Sequence, residues 1–136
     1  MKSKLTPITL LIVVLIIVLG YFAYTNYIVP FYLNNSAQTQ KIELNGDQNL
    51  VLVANENQKN ISSIEFEISG NSSQNVSILT YDPSKSSVQS VMIKKGKIDH
   101  VNFFNWNSDT CLMEIVTPKN TQGELTINYR FIGSNE

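Results

Sequence analysis

The sequence lacks most of the residue combinations on which enzymes and metal sites depend. Its 136 residues include one histidine and one cysteine, which do not supply the ligand set of a zinc site. It contains no nucleophile elbow, phosphate-binding loop or dinucleotide fingerprint. His100 and Asp99 are neighbours on a predicted strand, so their side chains point to opposite faces and cannot act as a pair. We therefore expect no enzymatic activity, no catalytic residue, no metal and no cofactor.

A second cysteine and an excess of positive charge are also missing. One cysteine cannot form a disulfide within the chain. Cys111 is followed by the apolar Leu112 and Met113, so we expect it to be buried as a small hydrophobic side chain rather than to act as a nucleophile. The chain has 10 Lys and Arg against 11 Asp and Glu, a formal net charge of −1. Without a basic face for a phosphate backbone, nucleic acid is not an expected partner.

What the sequence does have is one long hydrophobic run near its N-terminus. Leu5–Val29 contains no ionisable side chain apart from tyrosines. About 20 apolar residues in a helix match the roughly 30 Å hydrocarbon core of a bilayer. We therefore predict a short cytoplasmic N-terminus over residues 1–5 and a transmembrane helix, an uncleaved signal anchor, over residues 6–29. Aromatic residues at its C-terminal end predict contacts with the membrane interface: Tyr21, Tyr24, Tyr27, Phe31 and Tyr32.

The flanking charges predict the orientation of this segment. Lys2 and Lys4 precede the run, and the next basic residue is Lys41. The positive-inside rule then places the N-terminus in the cytoplasm and the rest of the chain outside it. A cleaved signal peptide is the alternative, but the run exceeds the 7–15 residues of its usual apolar region. The lipid bilayer is thus an expected partner, and the helix offers a surface for homo-oligomers.

Beyond a predicted juxtamembrane linker at residues 30–40, the sequence alternates apolar and polar residues with the period of a β-strand. The clearest example is Glu124–Phe131, in which four apolar side chains share one face. We predict an all-β, antiparallel two-sheet sandwich over residues 41–133, immunoglobulin-like or jelly-roll, followed by a short tail at 134–136. Its predicted strands are Lys41–Leu44, Leu50–Ala54, Ile64–Ile68, Val76–Tyr81, Gln89–Ile93, Lys97–Phe103, Cys111–Val116 and Glu124–Phe131.

Turn residues separate these strands. Asn45-Gly46-Asp47 predicts a hairpin, because Asn and Gly tolerate positive φ. Lys95-Gly96 predicts a second tight turn. Longer connections are predicted at Gly70–Ser73, Asp82–Ser84 and Pro118–Gly123.

One cluster has the composition of a ligand-binding surface. Between Val101 and Asp109, aromatic residues alternate with Asn and Asp, as in sites where rings stack on sugars while amides bond their hydroxyls. The candidate ligand residues are Phe104, Asn105, Trp106, Asn107 and Asp109. The alternative is that Phe103 and Trp106 fill the open end of the sandwich.

Four glycosylation sequons are also present, at Asn34, Asn60, Asn71 and Asn75.

These features favour a non-enzymatic structural or accessory protein, held at the membrane, whose β-domain docks onto another envelope or surface protein. A second hypothesis is a filament subunit, because a hydrophobic helix leading into a β-rich head resembles type IV pilin-like proteins, including archaeal ones, over Thr6–Tyr27. The chain departs from that family in lacking a Gly or Ala processing site after Lys4 and an early Glu in the run. A third hypothesis is a tethered carbohydrate-binding module with a glycan partner.

Overall fold

The computed structural model of the protein describes residues 6–29 and 35–134, in two separate units, Met1–Asn34 and Asn35–Glu136. The predicted interfacial residues Phe31 and Tyr32 and the sequon at Asn34 lie outside the described residues. So do residues 1–5 and the last two residues of the predicted tail.

The first unit contains the apolar helix. Helix α1 spans Pro7–Ala23 and continues as a π-helical turn over Tyr24–Ile28. The side chains of Thr25 and Asn26 donate to backbone carbonyls three and four residues earlier, at 2.9–3.2 Å, so these donor groups are satisfied within the helix. By length and composition, Pro7–Ile28 can cross a membrane, and a signal sequence would meet the same criteria.

The second unit confirms the predicted all-β sandwich of two antiparallel sheets. Sheet A has the strand order β1-β8-β3-β6, and sheet B has the order β2-β7-β4-β5. Each predicted strand overlaps one observed strand. The strands are β1 Gln38–Glu43, β2 Gln48–Val53, β3 Lys59–Ser72, β4 Val76–Tyr81, β5 Val88–Ile93, β6 Gly96–Asn105, β7 Thr110–Val116 and β8 Gly123–Ser134.

The folded unit begins earlier than the predicted boundary at residue 41. Strand β1 starts at Gln38, inside the predicted linker. Asn35 is buried, and its Oδ1 accepts hydrogen bonds from Gln58 Nε2 at 2.6 Å and from the Gly133 backbone N at 3.1 Å. The C-terminal part of the predicted linker is therefore held on the β-domain by hydrogen bonds.

The core lies between the two sheets. The inward side chains of sheet A include Ile64, Phe66 and Ile127, and they face Leu52, Ile78, Met113 and Ile115 of sheet B. Cys111 is fully buried in this core, as the sequence predicted. Burial raises the pKa of its thiol to about 12, because the thiolate would lose its hydration there. The thiol therefore packs as a small apolar group.

The predicted hairpin at Asn45-Gly46-Asp47 is wrong. Strand β1 pairs with β8 in sheet A, whereas β2 pairs with β7 in sheet B, so this turn carries the chain from one sheet to the other. The Asp47 carboxylate instead accepts a hydrogen bond from the Thr117 backbone N at 3.0 Å. Lys95-Gly96 likewise connects strands of different sheets. Among the described strands, β4 and β5 are the one pair that is both consecutive and hydrogen-bonded.

The predicted connection at Gly70–Ser73 is also largely strand. Strand β3 continues through Gly70 to Ser72 and pairs along this length with both β6 and β8. Gly70 has a φ of +135°, and a Cβ atom at this position would lie 2.1 Å from the carbonyl oxygen of Glu124. The glycine marks a close approach of two strands, not a turn.

Candidate binding surfaces

The outer face of sheet B is almost free of charge. Its four strands carry a single acidic or basic side chain, Glu114 on β7. The outward valines Val51 and Val88 are 61% and 54% exposed, and the outward Met92 is 71% exposed. Antiparallel sheets with one face in water normally place polar side chains on that face. This outer face, called the sheet-B face below, breaks that pattern.

The cross-strand register makes the sheet-B face continuous. Val51 lies opposite Leu112, Leu112 lies opposite Tyr81, and Tyr81 lies opposite Val88. These four side chains form one apolar row that crosses all four strands. Lys85 Nζ lies 5.7 Å from the centroid of the Tyr81 ring, so a cation borders the row at Tyr81.

The outer face of sheet A has the opposite character. Arg130 of β8 forms an ion pair with Glu65 of β3. Glu67 and Asn128 lie beside this pair and line a shallow cleft of about 240 Å³ with it. This face therefore resembles an ordinary solvated sheet surface, apart from Val101 and Phe103 on its edge strand β6, which are 58% and 59% exposed.

The pleat of β6 and the following loop separate the predicted ligand cluster. Phe104 points inward and packs against Phe66, with ring centroids 6.1 Å apart. Trp106 is only 4% exposed, which fits the alternative in which it fills the end of the sandwich. Phe103 points outward, so that alternative is wrong for Phe103. The remaining candidates are exposed: Asn105, Asn107 and Asp109.

Two of those exposed candidates line a cleft at one end of the sandwich. This end cleft has a volume of about 380 Å³. Its lining residues are Ile61, Ser62, Ser86, Ser87, Asn105, Trp106 and Asn107. None of them is charged. Phe104 and Asp109 do not line it, so the structure brings together only part of the predicted cluster.

The other sequence-predicted residues lie apart from these surfaces. His100 is half-buried on β6 and Asp99 is exposed, in keeping with opposite faces of the strand. Within the described ranges, no three His, Cys, Asp or Glu side chains form a group that could hold a metal ion. The described sequon residues are exposed and their glycosylation stays a prediction: Asn60, Asn71 and Asn75. The described interfacial candidates Tyr21, Tyr24 and Tyr27 are exposed on the helix.

Comparison with known proteins gives fold-level likeness only. No family model and no curated protein matches the chain. Among solved structures, a mutant of a family 29 carbohydrate-binding module is 12% identical with a TM-score of 0.41, over 75% of this chain and 79% of the other. A Bacillus endospore appendage protein, from a family of disulfide-linked pili, is 13% identical with a TM-score of 0.39, over 74% and 91%. The Yersinia pseudotuberculosis-derived mitogen is 10% identical with a TM-score of 0.40, over 75% and 90%.

Proposed function

We propose that the chain is a non-enzymatic, membrane-anchored accessory protein whose β-domain docks onto a protein of the cell envelope or surface. In this proposal residues 6–29 anchor the chain and the β-domain lies outside the cytoplasm. The sheet-B face is the docking surface. The observation that carries the proposal is the apolar row from Val51 to Val88 across all four strands of a sheet with one charge.

The size of the face indicates the strength of the contact. Four strands about 4.8 Å apart and about six residues long cover roughly 400 Å². That area includes the outward polar residues Asn49, Ser77, Ser90 and Glu114, and it is about half of what one partner buries in a standard interface, about 800 Å². The face alone therefore supports a weak complex. Attachment of both partners to one membrane would strengthen it by raising their local concentration.

The position of Glu114 indicates the chemistry of the partner. Its outward carboxylate lies on one of the two central strands, between the row of Val51 and the exposed Met92 on β5. Two copies packed face to face about a two-fold axis would bring two Glu114 carboxylates together in an apolar surrounding, which is unfavourable. A partner with an apolar surface and one central Lys or Arg satisfies the carboxylate instead.

The test compares two valines that differ in the sheet they belong to. Val51 on β2 and Val101 on β6 are both outward residues of edge strands, and they are 61% and 58% exposed. A photo-crosslinking amino acid is placed at each position of the full-length chain in its native membranes. We expect a discrete heterologous adduct from position 51 and none from position 101.

The interaction is then checked with Val51→Asp, Glu114→Lys and the control Val101→Asp. The first two variants should lose co-purification of the crosslinked protein, and the control should retain it. Adducts with a second copy or with lipid, or equal loss in Val51→Asp and Val101→Asp, would overturn the proposal.

A further inference from the structure

The end cleft has the composition of a site for a neutral, hydroxyl-rich ligand. Its polar lining consists of serine hydroxyls and asparagine amides, with no charged side chain. The amide groups of Asn105 and Asn107 are exposed, and neither makes a hydrogen bond within the described part of the chain. They can therefore donate and accept without losing an internal bond.

The walls of the cleft are held in place on two sides. The Trp106 backbone N donates to the Ser62 carbonyl at 3.0 Å, which fixes the end of β6 against β3. Across the cleft, the Asp82 carboxylate accepts from Ser86 Oγ at 2.8 Å and from the Ser87 backbone N at 2.9 Å. Such a cleft is largely pre-formed, which lowers the cost of binding.

An aromatic surface lies directly beside the cleft. Phe103 and Asn105 are both outward residues of β6, about 7 Å apart along the strand. Phe103 has an exposed ring that the core does not use. The indole of Trp106 is instead part of the cleft wall, with its Nε1 buried and without a hydrogen-bond partner among the described residues.

We propose that the end cleft binds a neutral glycan. One sugar unit lies in the cleft, where Asn105 and Asn107 bond its hydroxyls, and the adjoining unit stacks its apolar face on Phe103. The absence of charge in the lining disfavours acidic and cationic sugars, because neither would find a counter-ion there. The volume of about 380 Å³ is within the range of small-ligand sites. None of the residues that line this site belongs to the sheet-B face.

The binding test uses the full-length chain in a detergent without a sugar head group. The neutral probes are cellohexaose, maltohexaose and hexa-N-acetylchitohexaose, titrated by calorimetry and by the fluorescence of Trp106. Because Trp106 is the one tryptophan in the chain and lines the cleft, its emission reports directly on the site. We expect at least one probe to bind with a Kd of about 1 mM or lower and to change that emission.

The variants identify the residues that bind. Phe103→Ala should weaken binding at least tenfold, about 1.4 kcal/mol, whereas Phe103→Tyr retains an aromatic ring and should retain the affinity. Asn107→Ala should also weaken it. Matched controls on the sheet-B face, Met92→Ala and Asn49→Ala, should bind like the original chain.

Three results would overturn the proposal of a glycan site. The first is that no probe binds at about 10 mM. The second is that Phe103→Ala binds with the same affinity as the original chain, and the third is that Met92→Ala loses binding. Since the crosslinking test uses other positions, either proposal can fail while the other stands.

Discussion

Asp82 shows how one side chain can hold a loop of this protein. It follows β4 in the hairpin to β5 and is buried. Its carboxylate accepts hydrogen bonds from Ser84 and Ser86 and from the Ser87 backbone N. These bonds, that of Ser84 first, lower the pKa of Asp82 from 3.8 to about 2, because each donor stabilises the ionised form. The loop that forms one wall of the end cleft therefore depends on this charge.

The first prediction is that the contribution of Asp82 to the stability of the fold depends on pH. A carboxyl group whose pKa is lower in the folded than in the unfolded state stabilises the fold fully above its unfolded pKa. That contribution is lost as the pH falls from 3.8 towards 2. We therefore expect Asp82→Asn to unfold more easily than the original chain at pH 7, with the difference shrinking over this window. Denaturant unfolding followed by Trp106 fluorescence measures the stability difference at pH 7 and its change with pH.

The control for this prediction is Ser84→Ala, which keeps the carboxylate and removes one donor. Relative to the original chain, Ser84→Ala should lose less stability at pH 7 than Asp82→Asn loses. This loss of stability should also shrink on acidification. A constant difference between Asp82→Asn and the original chain from neutral pH down to acid would contradict the assigned role of the Asp82 charge.

At the same scale, residues 103–106 show where sequence reasoning reached its limit. The aromatic and amide composition of this segment predicted a ligand-binding surface. Its side-chain directions depend on the phase of the pleat, since a shift of one residue exchanges the two faces. Buried Ile98 sets that phase for β6 and places Phe104 inward and Phe103 outward. Trp106 lies beyond the strand, so alternation could not predict its burial.

At the scale of elements, the strands were predictable and their partners were not. Apolar alternation is a local property, and it located all eight strands. Pairing is a long-range property: β1 joins β8 across more than 80 residues of sequence. An Asn-Gly turn reverses the chain without specifying which sheet receives the next strand. For that reason Asn45-Gly46-Asp47 could be identified as a turn while its hairpin was wrong.

The second prediction concerns the closest approach of two strands, at Gly70 on β3. An alanine there would combine a φ of +135° with a Cβ atom 2.1 Å from the Glu124 carbonyl oxygen. We expect Gly70→Ala to lower the free energy of unfolding by about 3 kcal/mol or more, since the strain of such a backbone alone costs about 1–3 kcal/mol. Denaturant unfolding of the full-length chain gives the value.

Gly46→Ala is the matched control for this strand contact. Gly46 has a φ of +144°, but a Cβ atom on it would meet no atom within 4 Å. The control therefore carries the backbone strain without the clash, and it should be the less destabilised of the two. Equal losses of stability would show that β3 and β8 can separate at no cost.

At the scale of the whole molecule, the two sheets differ in what they present to the solvent. Three of the strands of sheet B have no acidic or basic side chain, whereas every strand of sheet A has at least two ionisable ones. This difference could have been found from the sequence, because a strand that is apolar or neutral on both faces is typical of a covered sheet. It was missed because the strands of one sheet are scattered along the chain. Only the topology collects their outward side chains into one surface.

The third prediction concerns the anchor, on which the docking proposal depends. If residues 6–29 are an uncleaved transmembrane helix, the purified protein should have the mass of the whole chain, 15.3 kDa. It should also remain in the membrane after alkaline carbonate washing, because about 20 apolar residues in the bilayer are held far more strongly than a peripheral contact. Protease added outside intact cells should digest the β-domain.

A mature N-terminus near Asn26 together with a freely soluble β-domain would identify a signal peptide instead. The sheet-B face would then lack the local concentration that makes a patch of about 400 Å² sufficient for docking.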